Sequence, residues 1–442
     1  MKKQLSTFDL TMLVVSLVIG MGIFRTPVNV AANAQTEDLF YIAWIIGGLI
    51  ALCGALTFAE IGSRYPVTGA YYKIFSEAYH PSVAFAINCI IIFTYAAATT
   101  GVTLIGSEYL CSVLLPESES IETAAMITAF VSLLVFYLLN LFGLRASSKI
   151  QNILTIIKIA LVLILICAVF VPQDGTIANV LPQPATSPMD WTDCLKAFGA
   201  CMVAVTFSFT GYQQIINFGG EAKNARTILP RAIKIGLFVI IVLYLLINYA
   251  YVNVIGFEQL KSAGSIAALL AERLFGPYGF TVLSILIYFS VLGYVNANLM
   301  ACPRIMYAMG QDKALPNFFT RTSKNGTMVT SLSVFVMIAL VTLLFAQTFN
   351  KILNYTVFLD CLSTAFAAAT IFYFRRKSGN QDSSAIYKVK PYPLVPMLFI
   401  AVFLFVAGSI LVADPYTAVT GLGIFAAFTS IYFLGKLFQR KN

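Results

Sequence analysis

The chain has 442 residues, 59% of them hydrophobic and 11% charged, with a mean hydropathy of +0.85 and a formal net charge of +9. Such a composition excludes a water-soluble domain and predicts an all-α membrane protein, because helices satisfy their own backbone groups in lipid. Nucleic acid is excluded as a partner, since the basic residues are spread over short segments instead of gathered on one soluble face. Eight cysteines without a CxxC spacing and a single histidine, His80, point away from a metal centre, a disulfide framework or an enzyme site, and no cofactor is implied.

In chain order, apolar stretches able to cross a ~30 Å hydrocarbon core fall near 10–32, 39–62, 83–113, 121–142, 149–171, 194–220, 232–255, 279–303, 328–346, 352–374, 393–412 and 416–435. Twelve spans are predicted, in one membrane domain over 1–442 with short connections. Lys2-Lys3 before an apolar run mimics a signal peptide, but no small-residue cleavage site follows, so the first helix is read as retained.

The first span is interrupted at Gly20-Met21-Gly22. Membrane glycines also serve close helix packing, and for this pair alone packing and a binding loop are equal readings. An opened helix leaves N–H and C=O groups that protein, water or a bound solute must satisfy. The half-helix after the break would present its positive N-terminus to an anion, and carbonyls before it would accept from an ammonium. An amino acid carries both groups.

On the third span, Ala96-Ala97-Ala98 leaves room beside the break, and Glu108 is read as an interfacial carboxylate. Lys158 lies about nine residues into span five, hence ~14 Å deep and beyond comfortable snorkelling. An ammonium there costs several kcal/mol unless paired or hydrated, which makes it a functional candidate. Three readings stand: a proton exchanged each cycle to drive symport, a fixed charge favouring exchange, or static pairing with carbonyls. The outer loop from Pro172 to Asp193 reads as irregular cover.

In the sixth span, Ser208, Thr210, Gly211, Gln213 and Gln214 replace the expected aliphatic run, five spans after the first break. Paired broken helices in two halves point to an inverted-repeat transporter with a site near the midplane. Interhelical hydrogen bonding is the alternative for these polar residues, Gln214 above all, and plain core for Phe207 and Phe209. After this span, Glu221 and the Arg226 to Lys234 cluster are read as a cytoplasmic latch or as solvated charge. Asp360, deep in span ten, is either a polar group on the substrate path, a proton carrier, or a carboxyl satisfied by Ser363 or Thr364. Of the lysines and arginines, 22 fall on one alternate set of connections and 5 on the other, which places both termini in the cytoplasm.

Four segments then carry a family resemblance. Gly20-Met21-Gly22-Ile23-Phe24 resembles the Gly-Ser-Gly-Ile-Phe loop of the amino acid/polyamine/organocation permease superfamily, with Met21 where serine is usual. Gly220 to Asn224 with Leu229 to Ile233, Arg304 to Pro316, and Tyr387 to Pro396 resemble its other signatures, and the chain is closest in appearance to bacterial L-type-like members. The resemblance implies a leucine-transporter-like fold: a 5+5 inverted repeat (about 8–171 and 194–374) with discontinuous helices 1 and 6, plus helices 11 and 12 (about 393–437).

It also implies amino acid transport by alternating access. Backbone N–H groups at Gly20, Met21, Gly22 and Ile23 would hold the substrate carboxylate, and carbonyls near Ile19 and of Phe207, Ser208 and Thr210, beside Gly211, its ammonium. Phe207 would be the gate, and Met21 would narrow the side-chain pocket. Lys158 would stand by the first break as the coupling residue. Gln213 sits where an acid-resistance relative has glutamate, and no carboxylate lies in either break, so a neutral L-amino acid is the expected substrate, moved by exchange or proton symport. A cationic amino acid or polyamine antiporter, which would need Asp360, and a transport-inactive sensor are the alternatives. Protons and the lipid bilayer are the further partners; Cys111 is the nearest candidate for a heavy-chain link, and no obligatory protein partner is evident. The expected location is a prokaryotic inner membrane.

Overall fold

The computed structural model describes residues 3–115, 120–171, 191–263, 266–345, 349–378 and 386–441. Their helices are α1 (Thr7–Val18), α2 (Gly22–Ala34), α3 (Glu37–Arg64), α4 (Ala70–Ala78), α5 (Pro81–Leu114), α6 (Ile121–Leu141), α7 (Leu144–Ile166) and α8 (Trp191–Phe209). There follow α9 (Ala225–Ile255), α10 (Phe257–Leu260), α11 (Ile266–Phe275), α12 (Gly279–Gln311), α13 (Val329–Leu344), α14 (Phe349–Ser378), α15 (Leu394–Ala413) and α16 (Pro415–Lys441). Among the described residues there is no strand, only the isolated bridges Leu5 to Ala222 and Thr68 to Phe218.

Local chemistry sets several boundaries. Ser6 and Asp9 cap α1 reciprocally, the serine hydroxyl accepting from Asp9 N and the carboxylate from Ser6 N. Pro81 opens α5 where its missing N–H costs nothing, and the His80 ring accepts from Ser82 N, which gives the histidine a capping role. The turn Gly20-Met21 separates α1 from α2, and the two helices diverge by 43°. Counting that bent pair as one, ten helical units among the described residues are long and apolar enough to span a membrane. Where the ninth and tenth spans are expected, the structure has α13, a shorter apolar helix of 16 residues, and α14, whose last turn carries Arg375, Arg376 and Lys377; neither is among those ten. Residues 172–190 of the expected outer loop lie outside the described residues.

The helices pack by small residues, as lipid-embedded helices must. On α3, a Cβ at Gly47 would fall 2.2 Å from Val205, and one at Gly54 2.0 Å from the Tyr212 hydroxyl. These gaps let α8 and the 3-10 turn Tyr212–Asn217 lie directly on α3.

One end of the bundle holds a network of ion pairs. Glu60, fully buried on α3, accepts from Arg64, from Arg375 at 2.6 and 2.8 Å and from Val389 N at 2.7 Å, joining α3 to α14 and the segment before α15. Glu221 and Arg304 pair bidentately at 2.6 and 3.1 Å, and Lys73 pairs with Asp312. Of the group read as a latch or as solvated charge, Glu221 is buried and bound to Arg304 of α12. The main chain around Glu221 also receives Gln4 N and Leu5 N, clamping the N-terminus to the connection after α8.

Candidate substrate site

The two helix breaks meet. Gly211, which follows α8 with φ +116°, lies so close to α1 that a Cβ would sit 2.3 Å from the Leu17 carbonyl oxygen; only glycine combines that conformation with that approach. A Cβ at Gly22 would be 3.3 Å from Ser208 Oγ, and one at Gly20 3.6 Å from the Tyr294 ring. Helix α8 stays helical through Phe209, so the second opening is narrower than the sequence predicts and is confined to Thr210-Gly211. Gln213 closes it: its Oε1 accepts from Gly211 N at 2.9 Å, while its Nε2 has no partner among the described residues.

The donors are at α2. Gly20 N already donates to Val18 O at 2.8 Å, which removes it from the expected carboxylate cradle. Met21, Gly22 and Ile23 start a helix whose first N–H groups lack intrahelical acceptors, and no acceptor takes them among the described residues. A serine at the N-cap would occupy one of these donors; Met21, 6% exposed, leaves them free.

The expected acceptors are partly engaged. Ile19 O accepts from Lys158, Phe207 O from Thr210 N at 3.4 Å and Thr210 Oγ1 at 2.9 Å, and Ser208 O from the Tyr244 hydroxyl at 3.2 Å. Thr210 O receives none among the described residues. Each carbonyl has two lone pairs, so Ile19 O and Ser208 O keep one for a ligand, whereas both of Phe207 O are taken by Thr210. Tyr244, fully buried on α9, also lies 3.3 Å from Val18 O and so touches the carbonyl ends of both α1 and α8. Its ring packs on Trp44 and Phe209.

Lys158 is fully buried on α7, with Nζ 2.5 Å from Ile19 O and 3.2 Å from both Ser16 O and Ser16 Oγ. The lysine amine thus caps the carbonyl end of α1, where the last carbonyls have no intrahelical donors. Phe207, beside the break, is 44% exposed, so its ring is not packed away as core. Asp360, half-buried on α14, makes no hydrogen bond or ion pair among the described residues, either with Ser363 and Thr364 or with Lys158. Tyr71, Tyr95, Tyr212 and Tyr294 lie within its electrostatic reach. Glu108 is exposed with Arg25 in reach, and Cys111 is buried with its sulfur 3.5 Å from Thr128 Oγ1. Sequence reasoning missed Tyr244 and Glu60 and gave Arg304 only as the start of a signature; charge at the end of apolar helices was the available signal for Glu60 and for the pairing of Arg304, and nothing marked the tyrosine.

A bundle of membrane-spanning helices, opened at two adjoining backbone breaks beside a buried lysine, defines an integral membrane protein with a polar centre. The amino acid permease family model matches residues 5–434, and the chain belongs to that family. It is similar to the serine/threonine exchanger SteT of Bacillus subtilis, 28% identical over 96% of this chain and 94% of that protein. It is 25% identical to the human cystine/glutamate transporter, over 100% of this chain and 87% of the relative, and equally to the human large neutral amino acids transporter small subunit 2, over 100% and 82%. The family expected from the four sequence signatures is therefore the one found.

Proposed function

We propose that the chain is a secondary transporter that carries neutral L-amino acids by alternating access, in a twelve-span, 5+5 inverted-repeat arrangement with cytoplasmic termini. One observation carries the reading: the free N–H groups of Met21, Gly22 and Ile23 and the carbonyl ends of α1 and α8 converge where the two breaks touch. A carboxylate on the first and an ammonium on the second is the pairing an α-amino acid supplies. Phe207 is the gate, its ring free to close over the substrate and exclude water. In this reading the Glu60 and Glu221 ion pairs lie at the cytoplasmic end and act as its latch.

Exchange is supported by the exchanger among the relatives, and Lys158 by its seat at the end of α1 is the coupling residue, as a fixed charge in exchange or a proton carrier in symport. The unpartnered Asp360 favours a second reading, a substrate whose side chain carries a cation.

Uptake of radiolabelled amino acids into proteoliposomes tests these readings. Uptake only into vesicles preloaded with amino acid, indifferent to a proton gradient, means exchange; accumulation in empty vesicles driven by the gradient means symport. Lysine outcompeting leucine, with the preference lost in Asp360→Asn, would replace the neutral reading by the cationic one. No uptake of any amino acid would refute transport.

A further inference from the structure

We propose that Asn296 is a positioning residue that aims Lys158, acting through a ladder of buried polar side chains on α7; the inference rests on the coupling role given to Lys158 above. On α7, Ser147, Gln151, Thr155 and Lys158 recur at helical spacing and are all buried on one face. The opposite face is apolar and open, with Ile153, Ile156 and Leu163 about half exposed. Lipid is as apolar as these side chains, so no hydrophobic force sets the rotation of α7 about its own axis. A slip of one residue turns a helix by about 100°, enough to swing Lys158 from Ser16 and Ile19 toward hydrocarbon, where its charge has no partner.

The polar ladder prevents that rotation. Asn296 Nδ2 donates to Gln151 Oε1 at 2.8 Å and to Ser147 O at 3.2 Å. Its Oδ1 accepts from Asn140 Nδ2 at 2.8 Å, so the hub is itself held by α6. From Gln151, Nε2 donates to Thr155 Oγ1 at 3.1 Å, and Thr155 Oγ1 lies 2.8 Å from Gln151 O and 3.3 Å from Met12 O of α1. The chain of bonds thus runs from α6 through α12 and α7 to α1 and ends one turn below Lys158. None of the four side chains Asn140, Gln151, Thr155 and Asn296 has a buried polar atom left without a partner. A second feature of α12 serves the same end: three residues before Asn296, a Cβ at Gly293 would meet Ser16 Oγ at 3.1 Å, Leu154 Cβ at 3.3 Å and Lys158 Cε at 3.6 Å. One face of α12 therefore supplies both the room for the lysine stem and the bonds that orient its helix.

A double-mutant cycle on the full chain in proteoliposomes tests this, with exchange of radiolabelled L-serine, L-threonine and L-leucine as the readout. Lys158→Met and Asn296→Ala should each slow exchange about tenfold, the scale of one charge-assisted hydrogen bond. Because Asn296 acts through Lys158, the double variant should be no slower than Lys158→Met alone. Gln151→Leu should behave as Asn296→Ala does, singly and with Lys158→Met, and covers the case in which Asn296→Ala does not fold. Losses that multiply to about a hundredfold in both double variants would show a general packing role and overturn the proposal. Wild-type rates in Lys158→Met would overturn both the coupling role and this inference, whereas no exchange by the unaltered protein would overturn the reading of neutral amino acid exchange on which it rests.

Discussion

Removing Arg304 probes the proposed latch, the ion pairs at one end of the bundle. In Arg304→Ala, Glu221 keeps its charge and its burial, 3% exposed at the side chain, but loses both guanidinium contacts at 2.6 and 3.1 Å. An uncompensated buried charge of this kind costs about 3–5 kcal/mol. The cost falls on the closed state, because parting the connection after α8 from α12 would let water reach Glu221. A shift of about 3 kcal/mol changes the closed-to-open ratio by roughly a hundredfold. Cys302, fully buried on α12 two residues before Arg304, reports the change. Its alkylation in membranes, followed by peptide mass, should be slow in the wild type and at least about tenfold faster in Arg304→Ala. The double variant Glu221→Ala/Arg304→Ala, which buries no lone charge, should return most of the way to the wild-type rate. Alkylation of Arg304→Ala within about twofold of wild type, or a double variant as fast as the single, would refute the reasoning.

Gly211→Ala should lower both thermal stability and substrate affinity, since φ +116° costs a non-glycine residue about 1–3 kcal/mol and the new methyl must push α1 away; unfolding scans with and without amino acid check it. Tyr244→Phe keeps the ring packed on Trp44 and Phe209 but removes the donor to Val18 O and Ser208 O; KM should rise by about tenfold with little change in melting temperature. Met21→Ser adds an N-cap oxygen worth about 1 kcal/mol to α2 but takes a donor from the carboxylate, so stability should rise while affinity falls, a split that a packing role for this loop would not give. Glu77, outside the membrane, is held below the ordinary carboxylate value of 4.5 by the hydrogen bond from Lys377, against the opposing effect of burial. That pair therefore stabilises above the ordinary carboxylate range and is lost as pH falls through the depressed value. The side chains are 57% and 35% exposed, so Glu77→Gln should cost under ~1 kcal/mol at pH 7 and nothing in denaturation at acid pH.

Much of this protein was legible before any coordinates. Hydropathy alone placed ten of the expected spans, because lipid demands runs of apolar residues that water-soluble folds do not need. Gly20 and Gly22 marked the first break, Gly211 the second, and Lys158 stood out because a cation in hydrocarbon needs a partner. What a local pattern cannot hold is the pairing of groups far apart in the chain. That Gly211 rests on Leu17, that Tyr244 touches the carbonyl ends of two broken helices, and that Glu221 answers to Arg304 were decided by packing. The same packing withdrew Gly20 N from the expected cradle by a local turn to Val18. Sequence determined which residues are costly to leave unpartnered in a membrane; only the tertiary structure decided their partners, because hydrogen bonds and ion pairs act over a few ångströms and chain order does not record which helices will lie that close.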